Sequence, residues 1–597
     1  MGITEIRAER EQIALAVGGA EAGQKFRVEA RRPLQGETLA VFSGMEAAER
    51  GGVYSLRVPR FASGEDLLTA AFAVYAEETV GERKTPEANQ AAETVKKTAV
   101  DGVSAQTEIA AARRIPGVCY VTKLCGVADC ETPYPVFRTK KALAASGDDL
   151  AVLGIEQTLI NINLPALMTT GPQEQAEHRA AQQERTERQL MPQGQANGAE
   201  AVQSGGRETI PFTVNGRTFY FLKERVAKLD AYMEDMTKRG IAVTAILLNA
   251  PRLFDSTGEE ALLRACIHPD FDWNEKNAFI SAFSMKTKEG QAYYQAFVEF
   301  LTARYAAGEE KRQALRGMIV SNEVDSQYIW GNAGEKTPEA YMEEYAQTLR
   351  LTYLAGRKHY AGLRVYISLD HLFNISYDQA QYQRPQPLRF YKGRQMLELL
   401  NEYARRDGNF DWGVAYHPYP EDLAQPDFYN DRTASFAFST QRITYKNIEM
   451  LPAYLAQERF LYEGRERRII LSEQGFNSRD DGVSEWQGAA GYVLAYQKVK
   501  KLPTVGMMTN HAYVDNRYEF GLHMGIRKLT DDDLPGEPRP IYDYMRDMGT
   551  EREQARVAEA RRFIGEALFD QLLTPRILAA DDLNAGSMEF QQEEKKQ

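Results

Sequence analysis

From residue 117 onward, short apolar runs alternate with stretches of helical spacing, and this alternation constrains the fold more than any other feature. A run of four to eight apolar residues suits a strand buried on both faces. Such strands separated by helices pair in parallel, because a parallel connection needs a long crossover. Eight runs can be read: 117–123 (GVCYVTK), 154–163 (GIEQTLININ), 241–249 (IAVTAILLN), 316–323 (RGMIVSNE), 364–370 (RVYISLD), 412–417 (WGVAYH), 468–473 (RIILSE) and 505–511 (VGMMTNH). The predicted fold class is therefore α/β, a (β/α)8 TIM barrel.

The intervening stretches support that reading. Val226, Leu229, Met233 and Met236 form a helical stripe that stops at Gly240, one residue before the third run. Tyr294, Phe297, Leu301 and Tyr305 form another ahead of the fourth. Thr337-Pro338 reads as an N-cap followed by proline in the first turn, opening a helix with Tyr341, Tyr345, Leu349 and Tyr353 on one face. These aromatics are expected to pack in the core.

Ahead of the barrel, runs at 25–30, 38–42, 54–58 and 67–76 are separated by Gly and Pro turns and predict an all-β sandwich-like domain. The expected organisation is residues 1–112 for that domain and a polar connecting segment, 113–550 for the barrel, and 551–597 for a charged helix and polar tail. An insertion at 164–221, Gln-, Glu- and Ala-rich over 171–207, interrupts the barrel and is expected to project as a mobile lobe at the catalytic face. It closes on PFTVNGRTFYF, where Asn215-Gly216 signals a hairpin.

Composition narrows the function. The 597 residues are 43% hydrophobic and 26% charged, with a net charge of −12, which argues against a nucleic-acid partner. No run of 18 apolar residues is present, so no membrane span is expected. The N-terminus lacks a signal-peptide core. The sequence as it stands reads as cytoplasmic, or as extracellular if a leader has been removed. Cys119, Cys125, Cys130 and Cys266 lack the paired spacing of a zinc site and read as free thiols.

Catalytic groups in such barrels stand at the C-terminal ends of strands. Here the fourth run ends Ser321-Asn322-Glu323, the fifth Asp370-His371, the sixth Tyr416-His417-Pro418-Tyr419, the seventh Ser472-Glu473 and the eighth Asn510-His511. Glu323 and Glu473 are placed to face each other across the barrel mouth. Cleavage of a glycosidic bond with retention needs two carboxyl groups about 5–5.5 Å apart, one protonated and one ionised. No HExxH or HxH spacing occurs, and neither metal nor cofactor is expected.

With these residues in view, the chain resembles the large clan of retaining (β/α)8-barrel glycoside hydrolases, clan A. In that clan Asn-Glu closes strand four and Glu closes strand seven. NEVDSQYIW, AYHPYP and LSEQGFNS together resemble, more closely, the glycosidase-like domain of unknown function family 5722. The resemblance implies Glu323 as acid/base, Glu473 as nucleophile, Asn322 as donor to the hydroxyl beside the anomeric carbon, and Tyr419 or His417 as the group holding Glu473 ionised. Asn161 and Asn163, Asn249, and Asn510-His511 depart from the clan's arginine, histidine and tryptophan at strands two, three and eight.

Further substrate contacts are expected from Asn163, Asn249, Asp325, Asp370, His371 and His511, with Asp515 a weaker candidate. Among mouth aromatics (Trp330, Phe373, Tyr377, Trp412, Phe476 and Trp486), Trp330 and then Phe476 are the candidates for stacking on a sugar. The expected partner is an oligosaccharide or glycoside, consistent with polysaccharide degradation. Two other readings stay open: a non-catalytic carbohydrate-binding barrel and a metal-dependent hydrolase on the same fold.

Overall fold

A computed structural model describes residues 1–50, 53–77, 112–145, 147–171, 208–251, 260–382, 384–575 and 577. Residues 172–207 of the expected lobe, most of the connecting segment and the polar tail fall outside the described residues. The chain divides into two compact units: residues 1–126 with 406–408, and residues 127–405 with 409–597.

The first unit carries two sheets of mainly antiparallel strands, one of five and one of four. In the first, Gly2–Ala8 pairs with Gln12–Gly18, which pairs with Val53–Pro59. In the second, Lys25–Arg31 lies between Thr38–Glu46 and Ala71–Ala76. Alternate side chains such as Ile13, Leu15, Leu56 and Val58 are buried, the period of a half-buried strand.

The second unit is a closed barrel of eight parallel strands. They are Lys141–Leu143, Gln157–Asn163, Ala242–Leu248, Leu315–Val320, Arg364–Asp370, Trp412–His417, Ile469–Leu471 and Val505–Asn510. The last seven fall on runs read from the sequence. The first does not: the barrel opens at Lys141–Leu143, not at 117–123. From that earlier run only Lys123 enters a strand, Lys123–Leu124, which pairs in parallel with Arg7 and Ala8 in the first unit.

The barrel interior is filled by a layer drawn from every strand: Ala142, Leu159, Ile246, Ile319, Tyr366, Ala415, Ile470 and Met507. Tyr366 fits because Gly317 and Gly413 flank it. A Cβ added at Gly413 would stand 2.7 Å from the tyrosine ring.

The three helices formed as read. Lys223–Arg239 buries Val226, Leu229, Met233 and Met236 and ends at Gly240, whose φ of 70° is the left-handed stop. Thr337 caps Pro338–His359 by accepting a hydrogen bond from the Ala340 N–H. Asn215 and Gly216, with φ of 50° and 73°, turn the hairpin between Thr209–Val214 and Arg217–Leu222. Two helices, Glu553–Ile564 and Glu566–Leu573, occupy the single charged helix expected near the C-terminus.

Candidate active site

Chain geometry at the end of the fourth strand presents Glu323. Ser321 and Glu323 both adopt left-handed backbone, with φ of 64° and 35°. That conformation costs a non-glycine residue on the order of 1–2 kcal/mol and survives only where neighbours hold it. Ser321 gives its N–H to the Leu247 carbonyl and its hydroxyl to the Trp330 carbonyl. Glu323 donates its own N–H to Ser368 Oγ at 3.0 Å, and Tyr345 OH donates to the Val320 carbonyl at 2.7 Å.

Glu473 follows the seventh strand. Ser472 donates its N–H to the Tyr416 carbonyl, and His511 donates its own to the Gln474 carbonyl, tying this turn to strands six and eight. The close approach requires glycine at 475, since a Cβ there would meet the His511 carbonyl oxygen at 2.0 Å.

Two strand-six side chains serve the two glutamates separately. His417 Nδ1 lies 2.8 Å from Glu323 Oε1, and Tyr419 OH donates to Glu473 Oε1 at 2.8 Å. The contact to Glu473 that the sequence left open between these two residues is thus made by Tyr419. One oxygen of Glu323, one oxygen of Glu473 and one ring nitrogen of His417 all lie within 4.8 Å of one another.

Electrostatics separates the roles. Burial, followed by the charge of Asp370, pushes the Glu323 carboxyl up to about 7, against the pull of His417. Burial alone would lower His417, but the charge of Glu473 and the hydrogen bond to Glu323 outweigh it and push the imidazole up to about 9. Burial and the Glu473 charge hold the Tyr419 phenol far above its ordinary value, so it remains a donor. Burial alone would raise Asp370, but His371, whose Nδ1 lies 2.7 Å from Asp370 Oδ1, outweighs it and holds the carboxyl below its ordinary value.

The remaining candidates divide by their partners. Asn322 is half-buried beside Glu323. Asp325 is fully buried, accepts the Asp370 N–H at 3.2 Å, and is pushed well up by burial. Asn163 spends its amide on one backbone unit: Nδ2 donates to the Ala250 carbonyl at 2.9 Å and Oδ1 accepts the Ala250 N–H at 2.8 Å. Asn249 Nδ2 donates to the carbonyls of Cys266 and Ala282, both at 2.9 Å. Asp515 accepts from the Gly525 N–H and pairs with Arg539 at 2.8 Å.

Trp330 is half-buried, its ring 5.2 Å from that of Phe279. Phe476 is buried beside Phe428 and Tyr445, Phe373 packs on Tyr454, and Trp412 is fully buried, so these rings are core. Tyr377 packs against Phe390, and Trp486 lies beside Tyr544. His511 Nε2 stands 3.2 Å from Glu519 Oε1. Two supporting residues escaped the sequence reading. Ser368 was legible as the one serine inside an apolar strand, whereas Glu519, in a polar loop, gave no signal.

Fold and site together define a (β/α)8-barrel protein with paired glutamates at the ends of strands four and seven. The chain belongs to the family of unknown function DUF5722, whose model matches residues 197–572. No curated protein matches it. Similar solved structures include a family 39 glycoside hydrolase from Bacteroides cellulosilyticus WH2, at 10% identity, covering 92% of this chain and 83% of that one with a TM-score of 0.39. A beta-glucosidase from Pyrococcus furiosus is 12% identical, covering 70% and 86%, with a TM-score of 0.43. A beta-D-glucuronidase from Dictyoglomus thermophilum is 11% identical, covering 92% and 68%, with a TM-score of 0.31.

Proposed function

We propose that this protein is a glycoside hydrolase acting with retention, Glu323 being the acid/base and Glu473 the nucleophile. The observation that carries the reading is the pair itself: carboxylate oxygens within 4.8 Å of each other, each with its own partner, with the Glu323 carboxyl pushed up to about 7. That separation falls short of the about 6.5–9.5 Å at which an inverting pair seats a water against the sugar.

In the first step the Glu473 carboxylate attacks the anomeric carbon while Glu323 gives its proton to the leaving oxygen. The glycosidic C–O bond breaks and a glycosyl ester forms. In the second step Glu323, now ionised, takes a proton from water, whose oxygen attacks the same carbon and releases Glu473. Asn322 is the donor for the hydroxyl next to the anomeric carbon, and Tyr419 stabilises the Glu473 carboxylate between turnovers. The substrate is a glycoside or oligosaccharide.

Azide with aryl glycosides tests both roles. Glu323→Ala is expected to lose about 10²–10⁴-fold in turnover and to recover with azide, yielding a glycosyl azide of retained configuration. Glu473→Ala is expected to yield the inverted azide. The same configuration from both variants, or unchanged turnover in either, overturns the assignment.

A metal-dependent hydrolase is the second reading, because Glu323, His417 and Glu473 offer one nitrogen and two oxygens close together. Zinc bound at about 2.0–2.2 Å from each ligand would require the three donors to draw in and His417 to release Glu323. Loss of activity on chelation, restored by zinc, would favour that reading over the first.

A further inference from the structure

The loop after strand eight carries two aromatic rings that core packing does not explain. Tyr518 is 87% exposed and Phe520 80% exposed. Between them, Glu519 turns the other way: one carboxylate oxygen lies 3.2 Å from His511 Nε2, and the other accepts from Asn516 Nδ2 at 3.0 Å. His511 in turn donates its backbone N–H to the carbonyl of Gln474, the residue next to Glu473. The loop is therefore tied to the candidate nucleophile through one residue and presents rings outward with the two beside it.

Phe520 makes this arrangement costly. Its φ of 53° is left-handed, a conformation that disfavours any residue with a Cβ, and the exposed ring returns no burial. Glycine, which adopts this conformation freely, stands next in the chain at 521 with φ of 82°.

We propose that Tyr518 and Phe520 form a stacking platform for a second sugar unit of the substrate, beyond the unit held at Glu323 and Glu473. This deepens the glycosidase reading above and rests on it. A pyranose offers an apolar face of C–H groups that matches one ring in area. A protein partner fits less well: two aromatic side chains bury at most ~150–250 Å2 each, against the roughly 1,000 Å2 a specific interface needs. A platform of this kind means the substrate is a chain of at least two sugars.

The test compares aryl monoglycosides with aryl di- and trisaccharides of whichever sugar the wild type turns over, using the full chain. Wild type is expected to prefer the longer substrates. Tyr518→Ala/Phe520→Ala should lose tenfold or more of kcat/KM on them, through KM, and at least fivefold less on the monoglycoside; Phe520→Trp should retain the preference. Phe520→Gly removes the ring and relieves the backbone, so it should lose the preference without lowering the thermal midpoint. Equal losses on short and long substrates, or none on either, overturn the platform while leaving the glycosidase reading intact. A wild type inert on every glycoside overturns both.

Discussion

At Glu323 several influences meet on one carboxyl. Burial, Asp370 and, less strongly, Glu473 raise it, and His417 lowers it, with the balance at about 7. A general acid works only while protonated, so kcat/KM should fall as pH rises through about 7. Removing the Asp370 charge eases ionisation of Glu323, and Asp370→Asn should move this alkaline limb to lower pH by about a unit. Removing the His417 cation does the opposite, and His417→Gln should move the limb upward. Opposite displacements in the two pH profiles are the expected result. Limbs that stay in place, or move together, contradict the coupling described here.

At the scale of elements, the sequence was most informative where apolar runs were long and ended in polar residues. Strands two to six and eight met both conditions; strand seven is short but all Ile and Leu and ends in polar residues, and the strand-end positions of Glu323 and Glu473 were legible on these grounds. Strand one is equally short, but its Lys141–Leu143 is low in strand-favouring side chains. Its lysine reads as surface yet is buried, with Nζ donating to the Met548 carbonyl at 2.8 Å and the amine pushed down to about 8 by burial. Residues 117–123 look more strand-like, yet only Lys123 enters a strand, and that in a different sheet.

The asparagines ending strands two and three show the same limit. A polar residue at a strand end looks alike from sequence whether it meets substrate or backbone. Asn163 closes two hydrogen bonds on Ala250, fixing the chain after strand three to the end of strand two. Asn163→Ala strands a buried N–H and carbonyl and should cost about 1–3 kcal/mol in denaturant-induced unfolding. Unchanged stability with a raised KM would instead return Asn163 to the substrate contacts expected from sequence.

For the whole molecule, the barrel and the β-rich first unit were readable because both are built on periodicity, which survives in a single sequence. Which loop side chains line the mouth was not readable, since Glu519, Tyr518 and Phe520 gain their places from tertiary contacts or exposure alone. The central claim joins that fold to a covalent intermediate on Glu473. Incubation with a panel of activated 2-deoxy-2-fluoroglycosides, followed by mass analysis of the intact chain and its peptides, tests it directly. The account predicts that one sugar adds a single glycosyl unit, located on Glu473 and absent in Glu473→Gln. Steady turnover with no labelled protein, or a label on any other residue, would contradict it.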